Sequence, residues 1–226
     1  MIWRGWIATG VCALVLMPYA PAPALAQGAP ATAQQRRKTS TPYSGDLSVF
    51  DYPNRDKKLH IDQVMDLLGI APGKNVADIG AGSGWFTVRA ALRVTETGEV
   101  YAVDINPAAV RYVQERAAKD KLNNIHAVQG APDDPRLPQH TVNAVLLLKT
   151  YHEVARPIEL MRNLRTALRL GARVGIIDRA GNGSNHGVQK RIVVQEMESA
   201  GYRMSEEHDE LVKDDGMDYF LIFVEK

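Results

Sequence analysis

Apolar and polar positions along this chain follow two alternating periods. Ile61, Val64, Met65 and Leu68 recur at i, i+3, i+4 and i+7, and predict an amphipathic helix over residues 56–68 that ends at Gly69. Residues 75–79 form a short β-type run, a cluster of glycines follows, and residues 85–93 return to the helical period. A second strand is predicted over 99–103. Asn106 then caps a helix with Pro107 at its first position, where proline gives up only an N–H that has no intrahelical partner. Residues 124–128 predict a third strand. Residues 143–148 are apolar without alternation, the pattern of a central parallel strand covered on both faces. A helix over 157–170 turns Ile158, Met161, Leu164 and Leu168 inward and is closed by Gly171. Then come a strand over 173–178, a helix over 188–200 and two last strands, 202–207 and 218–224.

This order predicts an α/β fold: a Rossmann-like, doubly wound seven-stranded sheet with helices on both faces. The sheet is expected to be mostly parallel. The last two strands, with no helix between them, are expected to pair antiparallel at one edge.

The apolar residues are concentrated unevenly. Arg4 followed by an apolar run over residues 6–17, Pro18, and the small residues of Ala24-Leu25-Ala26 read as an export signal cleaved after Ala26. A spanning helix needs about 20 apolar residues, so no stable membrane insertion is expected after cleavage. Cys12 lies inside the apolar run, which does not fit a lipid-modified signal. Residues 27–46, rich in Ala, Pro, Gln, Ser and Thr, read as a flexible spacer with a solvated Arg36-Arg37-Lys38 run. The expected organisation is therefore signal peptide 1–26, spacer 27–46 and domain 47–226, exported to the periplasm or beyond.

Composition then narrows the classes of function. The 226 residues are 45% apolar and 23% charged, a globular composition. The 200 residues after Ala26 carry 26 basic and 26 acidic side chains, which argues against a general nucleic-acid partner. Cys12 is the only cysteine, so a disulfide framework and a thiolate zinc site are excluded.

The strongest chemical signal is Asp78-Ile79-Gly80-Ala81-Gly82-Ser83-Gly84, where a strand runs through alternate glycines into a helix. Glycine permits close backbone approach and positive φ, and a helix start offers free N–H groups. The next strand ends in Asp104, 20 residues beyond Gly84, placed to accept from both hydroxyls of a ribose. The dinucleotide fingerprint is G-x-G-x-x-G, whereas this loop is G-x-G-x-G with an acid two residues ahead. A carboxylate there disfavours a pyrophosphate and suits a ligand bearing an amino group and a sulfonium. That choice favours S-adenosyl-L-methionine over NAD.

From about Tyr52 to Val224 the chain resembles the class I S-adenosylmethionine-dependent methyltransferases, and within them a group of exported bacterial methyltransferase-like proteins. The resemblance implies that Asp78, Gly80, Ala81, Gly82 and Gly84 surround the methionine portion of the cofactor. It makes Asp104, with Ile105 beside it, the ribose site. It places residues 129–138 against adenine, with Asp133 taking the adenine amine because Ala131 stands where many relatives have an acid. It puts Lys149, Tyr151, His152 and Glu153 between cofactor and substrate, and folds residues 52–56 over the cofactor. Arg55 then pairs either with the methionine carboxylate or with Asp56.

Methyl transfer from a sulfonium needs an aligned, unprotonated nucleophile. A histidine can exchange a proton near neutral pH, which makes His152 the candidate base; the alternative is a plain loop hydrogen bond. Glu153 either orients His152 or caps the following helix, and Tyr151 lines the pocket wall. The glycine-rich loop 181–187 is either a lid carrying His186 to substrate or a plain connection. His152, Asp178, His186 and His208 show no local metal-ligand spacing, so no metal is expected. The expected partner is a small-molecule substrate, and no oligomeric state is implied. Two other classes remain open: a non-catalytic exported binding protein with the same fold, and a nicotinamide-dependent oxidoreductase.

Overall fold

The computed structural model describes residues 1–3, 5 and 37–226. The expected signal peptide lies almost wholly outside the described residues, as does the expected spacer up to residue 36. Helices α1 (Arg55–Lys58) and α2 (Ile61–Leu67) lead into β1 (Val76–Ile79), α3 (Trp85–Val94), β2 (Val100–Asp104), α4 (Pro107–Asp120) and β3 (Ile125–Gln129). Then follow β4 (Val142–Leu148), α5 (Pro157–Arg165), β5 (Leu168–Asp178), α6 (Lys190–Ser199), β6 (Tyr202–Glu207) and β7 (Tyr219–Glu225). The seven strands form one sheet in the order β3-β2-β1-β4-β5-β7-β6. No helix among the described residues is long and apolar enough to cross a membrane.

Pairing is parallel from β3 through β5, while β7 runs antiparallel to both β5 and β6. The expected antiparallel pair is present, with β7 inserted one position in from the edge and a 3-10 segment, Asp209–Asp215, joining it to β6. Strand order reverses between β1 and β4, so their carboxyl ends diverge and open a crevice, the usual ligand position in such sheets.

The period of two sorts strand side chains between two cores. Ala77, Ile79, Val145, Leu147, Val174 and Ile176 face Ile158, Met161 and Leu164 of α5 and Val193 and Met197 of α6. Val76, Ala144, Leu146, Phe220 and Ile222 face Ile61, Val64 and Met65 of α2 and Phe86 and Ala90 of α3. Burying each Val, Leu, Ile, Met or Phe side chain among them contributes roughly 1.5–3 kcal/mol. Asn106 caps α4 as expected, its side chain accepting from the Ala108 N–H at 2.9 Å.

Three expectations are corrected. The helix over 56–68 is two helices, broken where His60 takes a left-handed φ of 46°. Helix α5 ends at Arg165, and Leu168 is buried as a strand residue paired with Val142. The register then jumps, so that Ala144 pairs with Arg173; β5 bulges between the two pairs, with Leu170 exposed and Gly171 at φ 77°. Residues 37–46 are not a free spacer, because Arg37 and Ser40 are fixed to the domain. Arg37 Nη2 donates to the Tyr151 carbonyl at 2.7 Å, and its Nε donates to Glu196 Oε1 at 2.9 Å. The Ser40 side chain is buried and donates to the Gly183 carbonyl at 3.2 Å.

Candidate active site

One cavity of about 400 Å³ opens at the carboxyl ends of β1, β2 and β4. Its floor is the loop between β1 and α3. Gly80, Gly82 and Gly84 have φ of 78°, 53° and 73°, and a Cβ on Gly80 would run into the Thr150 side chain. Here the sequence is explained by sterics: the loop follows this path because these positions carry no side chain.

Asp78, one residue before the end of β1, has its carboxylate buried and accepts from Thr87 Oγ1 at 2.6 Å. Burial pushes its pKa up to about 6, opposed by the Thr87 hydrogen bond and by the charge of Arg55. Asp104 ends β2. Its Oδ2 accepts from the Gly82 N–H at 2.9 Å and its Oδ1 from the Asn106 N–H at 2.8 Å, which fixes the carboxylate against the glycine loop. Desolvation raises its pKa, and these backbone donors oppose the rise. Ile105 projects beside it, half exposed, as an apolar face on the cavity rim.

Arg55 is buried at the cavity and not paired with Asp56 at the surface. Its guanidinium lies 4.2 Å from the centre of the Trp85 ring, and Nη1 donates to the Phe50 carbonyl at 2.7 Å. Arg55 Nε is buried with no hydrogen-bond partner among the described residues. Lys149 lines the cavity too, but its ammonium is engaged: Nζ donates to the Tyr52 hydroxyl at 3.0 Å and lies 2.6 Å from Asp215 Oδ2. Burial lowers its pKa.

The opposite end holds His152, Glu153 and His186, all on the cavity wall. His152 is buried, and its Nδ1 lies 2.8 and 2.9 Å from the two oxygens of Asp178. Asp178 also accepts from the backbone N–H groups of His152 at 3.0 Å and Arg179 at 2.9 Å. Glu153 Oε1 is 3.7 Å from His152 Nε2 and 3.8 Å from His186 Nδ1. Burial pushes the Glu153 pKa up to about 7, against the lowering effect of His152.

Two predicted residues are elsewhere. Tyr151 is not on the pocket wall; its ring is fully buried in the core beside α5 and α6, under the Arg37 guanidinium. Asp133 is outside the cavity lining, held in an ion pair with Arg156, and Ala131, Pro132 and Pro135 supply the wall instead. The sequence reading missed the wall built by Thr39, Pro42 and Tyr43, which it placed in a spacer, together with Leu47 and Phe50 at the start of the domain. It also missed the Tyr52–Asp215 contact at 2.5 Å, whose partners lie 163 residues apart.

Residues 76–171 match the family described as "Methyltransferase domain". The likeness to methyltransferases thus runs from β1 into β5. The chain is 35% identical over 80 residues to a protein-L-isoaspartate O-methyltransferase of Aeropyrum pernix, covering 35% of this chain and 31% of that protein. It is 27% identical over 115 residues to a ubiquinone/menaquinone biosynthesis C-methyltransferase of Ectopseudomonas mendocina, covering 50% and 45%. The matched stretches thus span less than half of these curated relatives. Among solved structures, a SAM-dependent methyltransferase from Aquifex aeolicus superposes with a TM-score of 0.69 at 24% identity, covering 80% of this chain and 97% of that one.

S-adenosyl-L-methionine is the cofactor that this likeness implies, and the residues present fit it. The buried, unpartnered Nε of Arg55 suits a carboxylate, and Asp78 an ammonium. Each oxygen of Asp104 accepts from one backbone donor and keeps a lone pair for a hydroxyl. When bound, the cofactor supplies an electrophilic methyl group on a sulfonium.

Proposed function

We propose that the protein methylates a small-molecule acceptor using S-adenosyl-L-methionine, with acceptor chemistry at His152, Glu153 and His186. The observation that carries this reading is the single cavity shared by the two ends of the site. The glycine loop, Asp78 and Asp104 line it on one side, and the His152 cluster lines it on the other. The hydrogen bond from His152 Nδ1 to Asp178 leaves Nε2 with a lone pair facing the cavity, as a base or a ligating atom requires. A volume of about 400 Å³ lies at the lower end for ligand sites, which supports a small acceptor. The charge balance of residues 27–226 also points away from nucleic acid.

Calorimetry with S-adenosylhomocysteine tests the cofactor half. Wild-type protein is expected to bind one equivalent, and Asp104→Ala to bind at least ~10-fold more weakly, the loss expected when hydrogen bonds to a charged group disappear. Equal binding by the variant would sink this assignment. Cofactor binding without turnover over a broad acceptor panel would instead favour a non-catalytic binding protein. We further propose export with cleavage after Ala26, which rests on residues 1–26 alone; the N-terminal mass of the secreted protein tests it.

A further inference from the structure

We infer that His152 Nε2, a Glu153 carboxylate oxygen and a His186 ring nitrogen form a binding site for one divalent transition-metal ion of the zinc type. The ligand atoms of these three residues all lie within 4.8 Å of one another. Two imidazoles and one carboxylate are the donor set of a catalytic zinc site that keeps a fourth position open. A tetrahedral ion with bonds of about 2.1 Å needs ligand atoms about 3.4 Å apart. The spacings of 3.7 Å from His152 Nε2 to Glu153 Oε1 and 3.8 Å from Glu153 Oε1 to His186 Nδ1 require a contraction of only a few tenths of an ångström.

An independent observation is the partner on the far side of His152. Asp178 accepts two backbone N–H bonds and faces Nδ1 with both oxygens, so the imidazole donates from Nδ1 and Nε2 keeps its lone pair. A carboxylate behind a histidine, fixing tautomer and ring direction, is the usual support of a metal-ligating imidazole. The second histidine is also set in place. His186 has a φ of 55°, its N–H donates to Ser40 Oγ at 2.8 Å, and Arg179 Nε donates to its carbonyl at 2.5 Å. A left-handed histidine costs about 1 kcal/mol or more and is kept where surrounding contacts impose it. The two rings meet edge to face with centroids 5.7 Å apart, both beside Glu153. The sequence showed no such site because His152 and His186 are 34 residues apart and meet only through the loop after β5.

The ion would leave one position directed to an acceptor oxygen or nitrogen in the same cavity. Coordination makes such an atom lose its proton more readily, and this takes over the task of a side-chain base. Only this catalytic consequence rests on the proposed methyl transfer; ion binding does not.

The test titrates chelator-stripped full-length protein with Zn2+ against a chromophoric chelator, and with Co2+ followed by visible absorption. The expected result is one equivalent of each, with a cobalt spectrum of nitrogen and oxygen ligands and no thiolate band. His186→Ala, a change on an exposed loop that leaves the core untouched, and Glu153→Gln should each weaken binding at least ~10-fold, and Asp178→Asn should do so by ~10–100-fold. No stoichiometric binding, or equal affinity in wild type and His186→Ala, overturns the site; the second result places the ion elsewhere. Calorimetry with S-adenosylhomocysteine on the same samples separates the two readings. Cofactor binding without the ion removes this inference alone, and ion binding without the cofactor removes the proposed function alone.

Discussion

The imidazole of His152 stands 2.8 Å from the fully buried carboxylate of Asp178, and the two residues come from the ends of adjacent parallel strands. Neither leaves its element by more than a few residues, so the sheet itself sets their distance. The pair decides which ring nitrogen faces the cavity, and therefore what kind of chemistry His152 can do.

Asp178→Asn should invert that choice. An asparagine can donate to Nδ1, leaving the proton on Nε2, the wrong tautomer for a base or a ligand. Long-range nitrogen–proton NMR on the His152 ring is expected to show Nδ1–H in the wild type and Nε2–H in the variant. The same tautomer in both proteins would remove the positioning role of Asp178.

Asp78 should make the cofactor-free protein less stable as pH rises. Its folded pKa of about 6 stands above the unfolded value of 3.8, so the folded state holds the extra proton. The resulting stabilisation is fully present below about pH 4 and lost as pH rises through about 6, in total about 3 kcal/mol. Denaturant unfolding of wild type and Asp78→Asn across this window should show the variant gaining on the wild type as pH increases. Parallel curves would count against it. The variant is also expected to bind the cationic cofactor more weakly at neutral pH.

Gly80→Ala and Gly69→Ala separate backbone strain from steric conflict. Both glycines have φ near 70–80°, but a Cβ on Gly69 meets nothing within 4 Å, while one on Gly80 strikes Thr150. Gly69→Ala is expected to cost about 1 kcal/mol and Gly80→Ala about 1–3 kcal/mol more. Thermal unfolding measures both, and only Gly80→Ala should also reduce cofactor binding. Equal losses would mean that Thr150 moves aside without cost.

Arg37→Ala should free the segment that walls the cavity. The side chain, 12% exposed, bonds the Tyr151 and His152 carbonyls and Glu196. Removing a charged donor from such acceptors costs about 2 kcal/mol. Limited proteolysis is expected to cut within residues 37–46 faster in the variant, with the remaining domain intact. An unchanged cleavage rate would show that Ser40 and the apolar contacts of Leu47 and Phe50 hold the segment without Arg37.

The sheet was legible in the sequence because its central strands are apolar runs bounded by glycine and polar residues. The glycine loop over residues 78–84 and Asp104 were legible because their chemistry depends on local spacing. What failed depended on distance. Leu168 continues the i+4 row from Leu164, so a helical pattern cannot show that pairing with Val142 buries it instead. The His60 break leaves Ile61, Val64 and Met65 on one face, so the apolar period does not register it. Asp133 and Arg156 are 23 residues apart, and their pairing takes the carboxylate away from the adenine wall. Nothing in the composition of residues 37–46 marks Arg37 as a side chain that reaches Glu196, 159 residues on.

That last contact has a consequence for the order of events in the cell. The wall formed by residues 39–50 is synthesised first among the folded parts. Its anchors sit on residues 151, 152, 183 and 196, which emerge much later. Contacts of such long range form late in folding. Until those residues are in place, the wall formed by residues 39–50 has none of these anchors, and the cavity that it lines is incomplete. A ligand held by that wall is therefore taken up after the last strands have docked, and not by the growing chain.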